Sequence, residues 1–282
     1  MREASSRDGS VCDGSGAPPS RSARYAGPVF VPRGPGALPR AVLVALSLCL
    51  AACDGDSPTE VDDPGGPGGL AIVFDDPAGE LAGLEATLRS VLESTFEGAR
   101  SRIPIHGLTI TVASDPPRTI PGWGIGGFTL GASLIEITVD PAFAGSGQIV
   151  LERTALAAAH EMHHAARIRG PGYGSTLFEA IVSEGLADHF SLELLGGPIP
   201  PWIDAFPVEE TQRYWRLAGP ELEAPFDYPR WFFGQDPEIP RWTGYTLGFR
   251  LVGSYLDSHS TTAAELVHAP ASLFRDGIGA SG

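Results

Sequence analysis

The order of apolar and polar positions divides the chain into unlike parts. Residues 1–40 are rich in Arg, Ser, Pro and Gly with little periodic apolar pattern, AVLVALSLCLAAC (41–53) is almost wholly apolar, and 54–69 is acidic and rich in Gly and Pro. Periodicity begins at residue 70. LAIVFDD (70–76) predicts a short strand, and Leu81, Leu84, Leu88, Val91, Leu92, Thr95, Phe96 and Ala99 then recur at helical spacing. LTITVASD (108–115) alternates as a strand does and is ended by Pro116-Pro117; LIEITVD (134–140) is another strand, after the loop PGWGIGG (121–127). From about residue 147 the pattern turns helical, with candidate helices at 148–169, 175–195, 207–218 and 242–258. Strands first and helices later predict an α+β fold: a small N-terminal sheet with helices, then a mainly helical part.

This pattern sets the organisation. Residues 1–40 cannot bury enough surface to order themselves. The apolar run at 41–53 is too short to span a bilayer as a helix but suits the apolar region of a signal peptide. It ends in Leu50-Ala51-Ala52-Cys53, which resembles the bacterial lipobox, where cleavage leaves an acylated cysteine as the first residue. Residues 1–52 are therefore read as an arm and lipoprotein signal peptide, 53–69 as a flexible tether, and 70–282 as one catalytic domain. The expected setting is the bacterial envelope, with lipid on Cys53 as the membrane contact and the domain in water facing periplasm or exterior. Cys12 and Cys49 fall in the part predicted to be lost, so no disulfide is expected.

Charge removes several classes of function. The mature part keeps 13 basic and 31 acidic side chains, which would repel nucleic acid. All 19 basic residues are arginine, so phosphate binding of the Walker type and Schiff-base chemistry, which need lysine, are excluded. There is neither G-x-S-x-G nor a mature free thiol to support nucleophilic acyl transfer.

The chemistry concentrates in AAAHEMHHAAR (157–167). Histidines four apart on a helix lie about 40° apart around its axis, one turn along it, so His160 and His164 can converge on one ion. Glu161 between them completes HExxH, in which two histidines ligate zinc and the glutamate acts as general base. A pairing of His160 with His163 is also possible but leaves Glu161 no catalytic place. For the third ligand, the metzincin pattern fails because Arg167 and Gly170 stand where Gly and His are required. The gluzincin pattern is met by Glu184 as ligand, with Asp188 one turn on to accept the free N–H of a ligating histidine.

HEMHH followed by SEGLADHF (183–190) resembles a bacterial family of predicted zinc-dependent proteases, a domain of unknown function marked by HExHH and an EGLA element. The resemblance runs from about residue 71 to the C-terminus and takes in GIGGFTLG (124–131) and GYTLGFRLVGSYL (244–256). It implies zinc held by His160, His164 and Glu184, with peptide or protein substrates. GIGGFTLG resembles the glycine-flanked edge strand on which zinc peptidases align a peptide, although a plain β-hairpin reads equally well. His163 is expected to pack against a neighbouring helix or to support the ligands. Tyr245, His259 and His268 are candidate oxyanion donors, Tyr245 first because it lies in GYTLG, although a buried core tyrosine is the plainer reading. The expected activity is zinc-dependent hydrolysis, with a non-catalytic binding or chaperone-like lipoprotein and a zinc amidase as alternatives.

Overall fold

A computed structural model describes residues 69–144 and 147–279. The segments expected to be an N-terminal arm, signal peptide and tether, with Cys53, fall in residues 1–68 and lie outside the described residues. Among the described residues no helix is long and apolar enough to cross a membrane.

The fold is α+β. Four strands, β1 (Leu70–Asp75), β2 (Leu108–Ser114), β3 (Ile125–Gly131) and β4 (Leu134–Val139), form one sheet in the order β1-β2-β4-β3. β1, β2 and β4 run parallel, and β3 lies antiparallel to β4 at the edge. The helix α1 (Glu85–Arg100) connects β1 to β2, so the molecule opens with one βαβ unit before its strands give way to helices. Register places Ile72, Ile110 and Ile135 side by side across the parallel strands, and pairs Ile135 in turn with Thr129 of β3. Because side chains alternate along a strand, Thr129 and Gly127 share the apolar face of the sheet. That placement matters for the site. β3 also begins inside the stretch that periodicity assigns to a loop, since Ile125 and Gly126 are buried while Gly127 and Phe128 are exposed, and no alternation marks its start.

Helix α2 (Gln148–Ile168) packs against α1, β3 and β4 on one side and against α3 (Leu177–Leu195) on the other. The predicted bounds of these helices hold to within about two residues. The predicted helix at 207–218 opens as a 3-10 turn, Val208–Glu210, and becomes α4 only at Thr211–Ala218. The last long helix is α5 (Thr243–His259).

α3 is buried on nearly every side, as expected for a helix that is apolar all round. It meets α5 backbone to backbone. A Cβ placed on Gly185 would stand 2.3 Å from the carbonyl oxygen of Gly248, and one on Gly248 would stand 2.1 Å from that of Ile181. The glycines of the EGLA and GYTLG stretches are therefore a packing device. In an ordinary helix, glycine to alanine is stabilising by about 1 kcal/mol. Gly185→Ala should instead force α3 and α5 apart, lowering stability by about 1–3 kcal/mol, the usual scale for overpacking. Denaturant titration measures it, and a rise in stability would contradict the contact.

Candidate metal centre

α2 lies between β3 and α3 and presents a different group to each. His160 and His164 face α3, where Glu184 and Asp188 stand one turn apart. The Nε2 of His160 is 3.0 Å from the Nε2 of His164 and 3.0 Å from Oε2 of Glu184, and His164 Nε2 is 3.4 Å from the same oxygen. Three donors around a tetrahedral zinc at about 2.0–2.1 Å would be separated by about 3.3 Å. The triangle is thus close to the size of a zinc site and offers two nitrogens and one oxygen, a donor set zinc accepts. It is also the one such group among the described residues.

The atoms behind the triangle fix its orientation. Asp188 Oδ1 stands 3.0 Å from His160 Nδ1 and accepts the indole N–H of Trp202 at 2.9 Å. A proton on Nδ1 leaves the Nε2 lone pair facing the other donors. Glu184 Oε1 accepts from the hydroxyls of Tyr173, at 2.6 Å, and Tyr228. Only Oε2 is left toward the histidines.

Electrostatics follow from burial: Glu184 is 2% exposed and Asp188 1%. Burial opposes charge on His160, but Asp188 and Glu184 outweigh it and raise the imidazole well above its ordinary 6.5. Burial also opposes charge on Glu184, yet His164 and His160 hold its carboxyl well below 4.5. The phenols of Tyr173, Tyr228 and Tyr245 are pushed well above 10, first by burial and then by the Glu184 charge, so they stay neutral donors.

Glu161 faces the sheet. Its Oε2 accepts from the Thr129 hydroxyl at 2.7 Å, and a Cβ on Gly127 would stand 2.7 Å from its Oε1. The bare backbone at 127 therefore makes room for this carboxylate beside the histidine pair.

The remaining expected residues fall as follows. His163 is fully buried with its ring against Phe190, centroids 5.4 Å apart, and is not among the converging donors. Burial, then the neighbouring His164 and Arg167, lower its pKa well below 6.5. Tyr245 reaches the site indirectly, its hydroxyl 3.5 Å from that of Tyr228. His259 bonds the Tyr255 carbonyl at the end of α5, and His268 bonds the carbonyl of Ala166; neither is brought to the triangle. Glu179 sits at the start of α3, where it and Thr176 form a capping box. Tyr173, Trp202, Tyr228 and Thr129 went unread in the sequence. Tyr173 comes from a loop, Trp202 and Tyr228 from single helical turns and Thr129 from a strand, none with motif spacing to the histidines, and only Thr129, inside GIGGFTLG, lay in a segment singled out for chemistry.

Comparison with known proteins finds one family model and two relatives of note. Residues 143–276 match the model of a family described as "Predicted Zn-dependent protease (DUF2268)". That match begins at 143 rather than near 71, so the sheet lies outside it. Two proteins of Bacillus subtilis are similar: YjaZ, 28% identical over 127 residues, and YjfC, 26% identical over 223, both described as uncharacterized. The alignments take in 42% and 72% of this chain. They span about half of YjaZ, 48%, and 71% of YjfC. No solved structure matches the chain significantly.

The triangle makes definite demands on metal binding. Glu184→Ala should strip most of the zinc, and Asp188→Asn should weaken it by about 10 to 100-fold. Glu179→Ala and His163→Ala should keep it, and equilibrium dialysis against a competing chelator measures all four. Retention by Glu184→Ala with loss in either of the last two would overturn the ligand set. Zinc must also displace the Nε2 proton of His160, which faces Glu184, when that imidazole is charged. Affinity should therefore fall as pH drops below that raised pKa, by up to about tenfold per unit, and level off above it; a pH-independent affinity would contradict this. The side chains these variants probe lie within 143–276, the stretch over which the chain is similar to the family described as predicted Zn-dependent proteases.

Proposed function

We propose that this protein is a zinc-dependent metallohydrolase, a peptidase with a gluzincin-like site, carried on a lipid-anchored bacterial envelope protein. One observation carries the reading: three donors of zinc-site dimensions converge while Glu161, on the adjacent helix face, is held separately by β3. His160, His164 and Glu184 would hold the ion. A structural zinc is usually closed by a fourth side chain, whereas three converging donors leave a position open for water. This favours an enzyme over a binding module.

When bound, zinc supplies Lewis acidity, acidifying a water and polarising a carbonyl. The chain's own residues do the rest. Thr129 holds Oε2 of Glu161, which leaves Oε1, over Gly127, to take a proton from the attacking water and return it to the leaving amine. Asp188 keeps the His160 ring in one tautomer. Among the described strands β3 lies at the sheet edge, bonded to β4, and it runs past Glu161, a place that suits an extended peptide. Tyr245 is the reserve oxyanion donor, reaching toward the site through Tyr228. The anchor rests on the lipobox-like sequence ending at Cys53.

Two tests follow. Glu161→Gln should keep fold and zinc yet lose at least about a hundredfold in peptide hydrolysis; unchanged hydrolysis by the zinc-loaded variant would remove Glu161 from the chemistry. Cys53→Ser should abolish labelling by a fatty-acid probe and release the protein from membranes, and equal labelling of both forms would rule the anchor out.

A further inference from the structure

A carboxylate has two oxygens, and a metal can take one or both. Taking both would crowd the position that a hydrolytic zinc keeps for water and raise the shell, water included, from four ligands to five. What decides the matter here is what else Glu184 touches. Its Oε1 accepts from two phenols, Tyr173 at 2.6 Å and Tyr228, while Oε2 alone stands beside the two histidine nitrogens. With both lone pairs of Oε1 engaged, turning that oxygen onto an ion would break two buried hydrogen bonds at once.

Both phenols are themselves held. The backbone of Tyr173 is fixed by its carbonyl, which accepts from the hydroxyl of Ser183, the residue before Glu184. Ser183 in turn accepts from the buried Arg167, which also donates to the carbonyls of Val267 and Ala269. Tyr228 begins a single helical turn capped by Asp227, and its ring stacks on Phe232 with centroids 4.3 Å apart. The two hydroxyls are 2.7 Å from each other. We propose that Tyr173 and Tyr228 are positioning residues that confine Glu184 to one-oxygen ligation and so keep the fourth coordination position open. The inference rests on the metal site proposed above and adds the device that sets its coordination number.

Cobalt(II) in place of zinc gives a direct readout, because its visible absorption weakens as four ligands become five. Tyr173→Phe, Tyr228→Phe and the double variant keep the rings and remove the hydroxyls. The double variant should lose visible intensity relative to the parent chain, and its zinc affinity should fall by about 10 to 100-fold. Each single variant should fall between, and they carry the test if circular dichroism shows the double unfolded. Tyr245→Phe should leave the spectrum unchanged, since its hydroxyl contacts Tyr228 at 3.5 Å rather than Glu184. Spectra and affinities matching the parent would overturn the inference. So would a fall in turnover with an unaltered spectrum, which would make the phenols oxyanion donors instead. Failure of the parent chain to take up either metal would refute the site itself, a separate outcome.

Discussion

Two carboxyl groups one turn apart, inside a helix that water scarcely reaches, constrain everything around them. A charge buried without partners costs several kcal/mol, so Glu184 and Asp188 depend in α3 on the groups that meet both oxygens of Glu184 and Oδ1 of Asp188. The chain meets that demand from far apart in sequence. His160 and His164 come from α2, Trp202 from the segment after α3, Tyr173 from the loop before it, and Tyr228 from a turn more than forty residues on. Those donors leave one oxygen and two imidazole nitrogens directed at each other, the composition a zinc ion would complete.

Holding such partners requires a rigid frame, and the second glycine-bearing motif supplies it. Gly248 lets α5 touch α3 at Gly185. Two residues earlier, Thr246 donates to the carbonyl of Trp202 at 2.9 Å and accepts from the backbone N–H of Ala205, fixing the indole that braces Asp188. Arg250 continues along the same face to Asp204 and the carbonyl of Phe206. GYTLGFR thus reads less as a catalytic stretch than as the spine against which the segment 202–206 is tied. On the opposite side, the sheet contributes Gly127 and Thr129 to Glu161, so the base and the ligands are positioned by different layers.

How much of this could be read in advance depended on whether a feature is local. HExxH on an alanine-rich helix, and Glu184 with Asp188 on the next, are spacing patterns within single helices, and helical geometry alone brings His160 and His164 onto one face. The α+β order and most element bounds followed likewise from periodicity. The start of β3 did not, because glycines 126 and 127 carry no hydropathy signal; they are there because Arg118, Thr138 and Glu161 leave no room for a Cβ. Tyr173, Tyr228 and Trp202 were illegible for a related reason: an aromatic residue in a loop or an isolated turn looks the same whether its hydroxyl or N–H meets solvent or a buried carboxylate. Tyr245 drew attention through its motif, yet its role is carried through Tyr228.

An ion in this site would see two imidazoles and one carboxylate oxygen, with room for water. Zinc K-edge X-ray absorption on the chain loaded with one equivalent of zinc measures that shell directly. The expected spectrum shows about four light ligands at about 2.0–2.1 Å, with the multiple-scattering signature of two imidazoles. A third imidazole, which would bring His163 into the shell, or a six-ligand oxygen shell would contradict it.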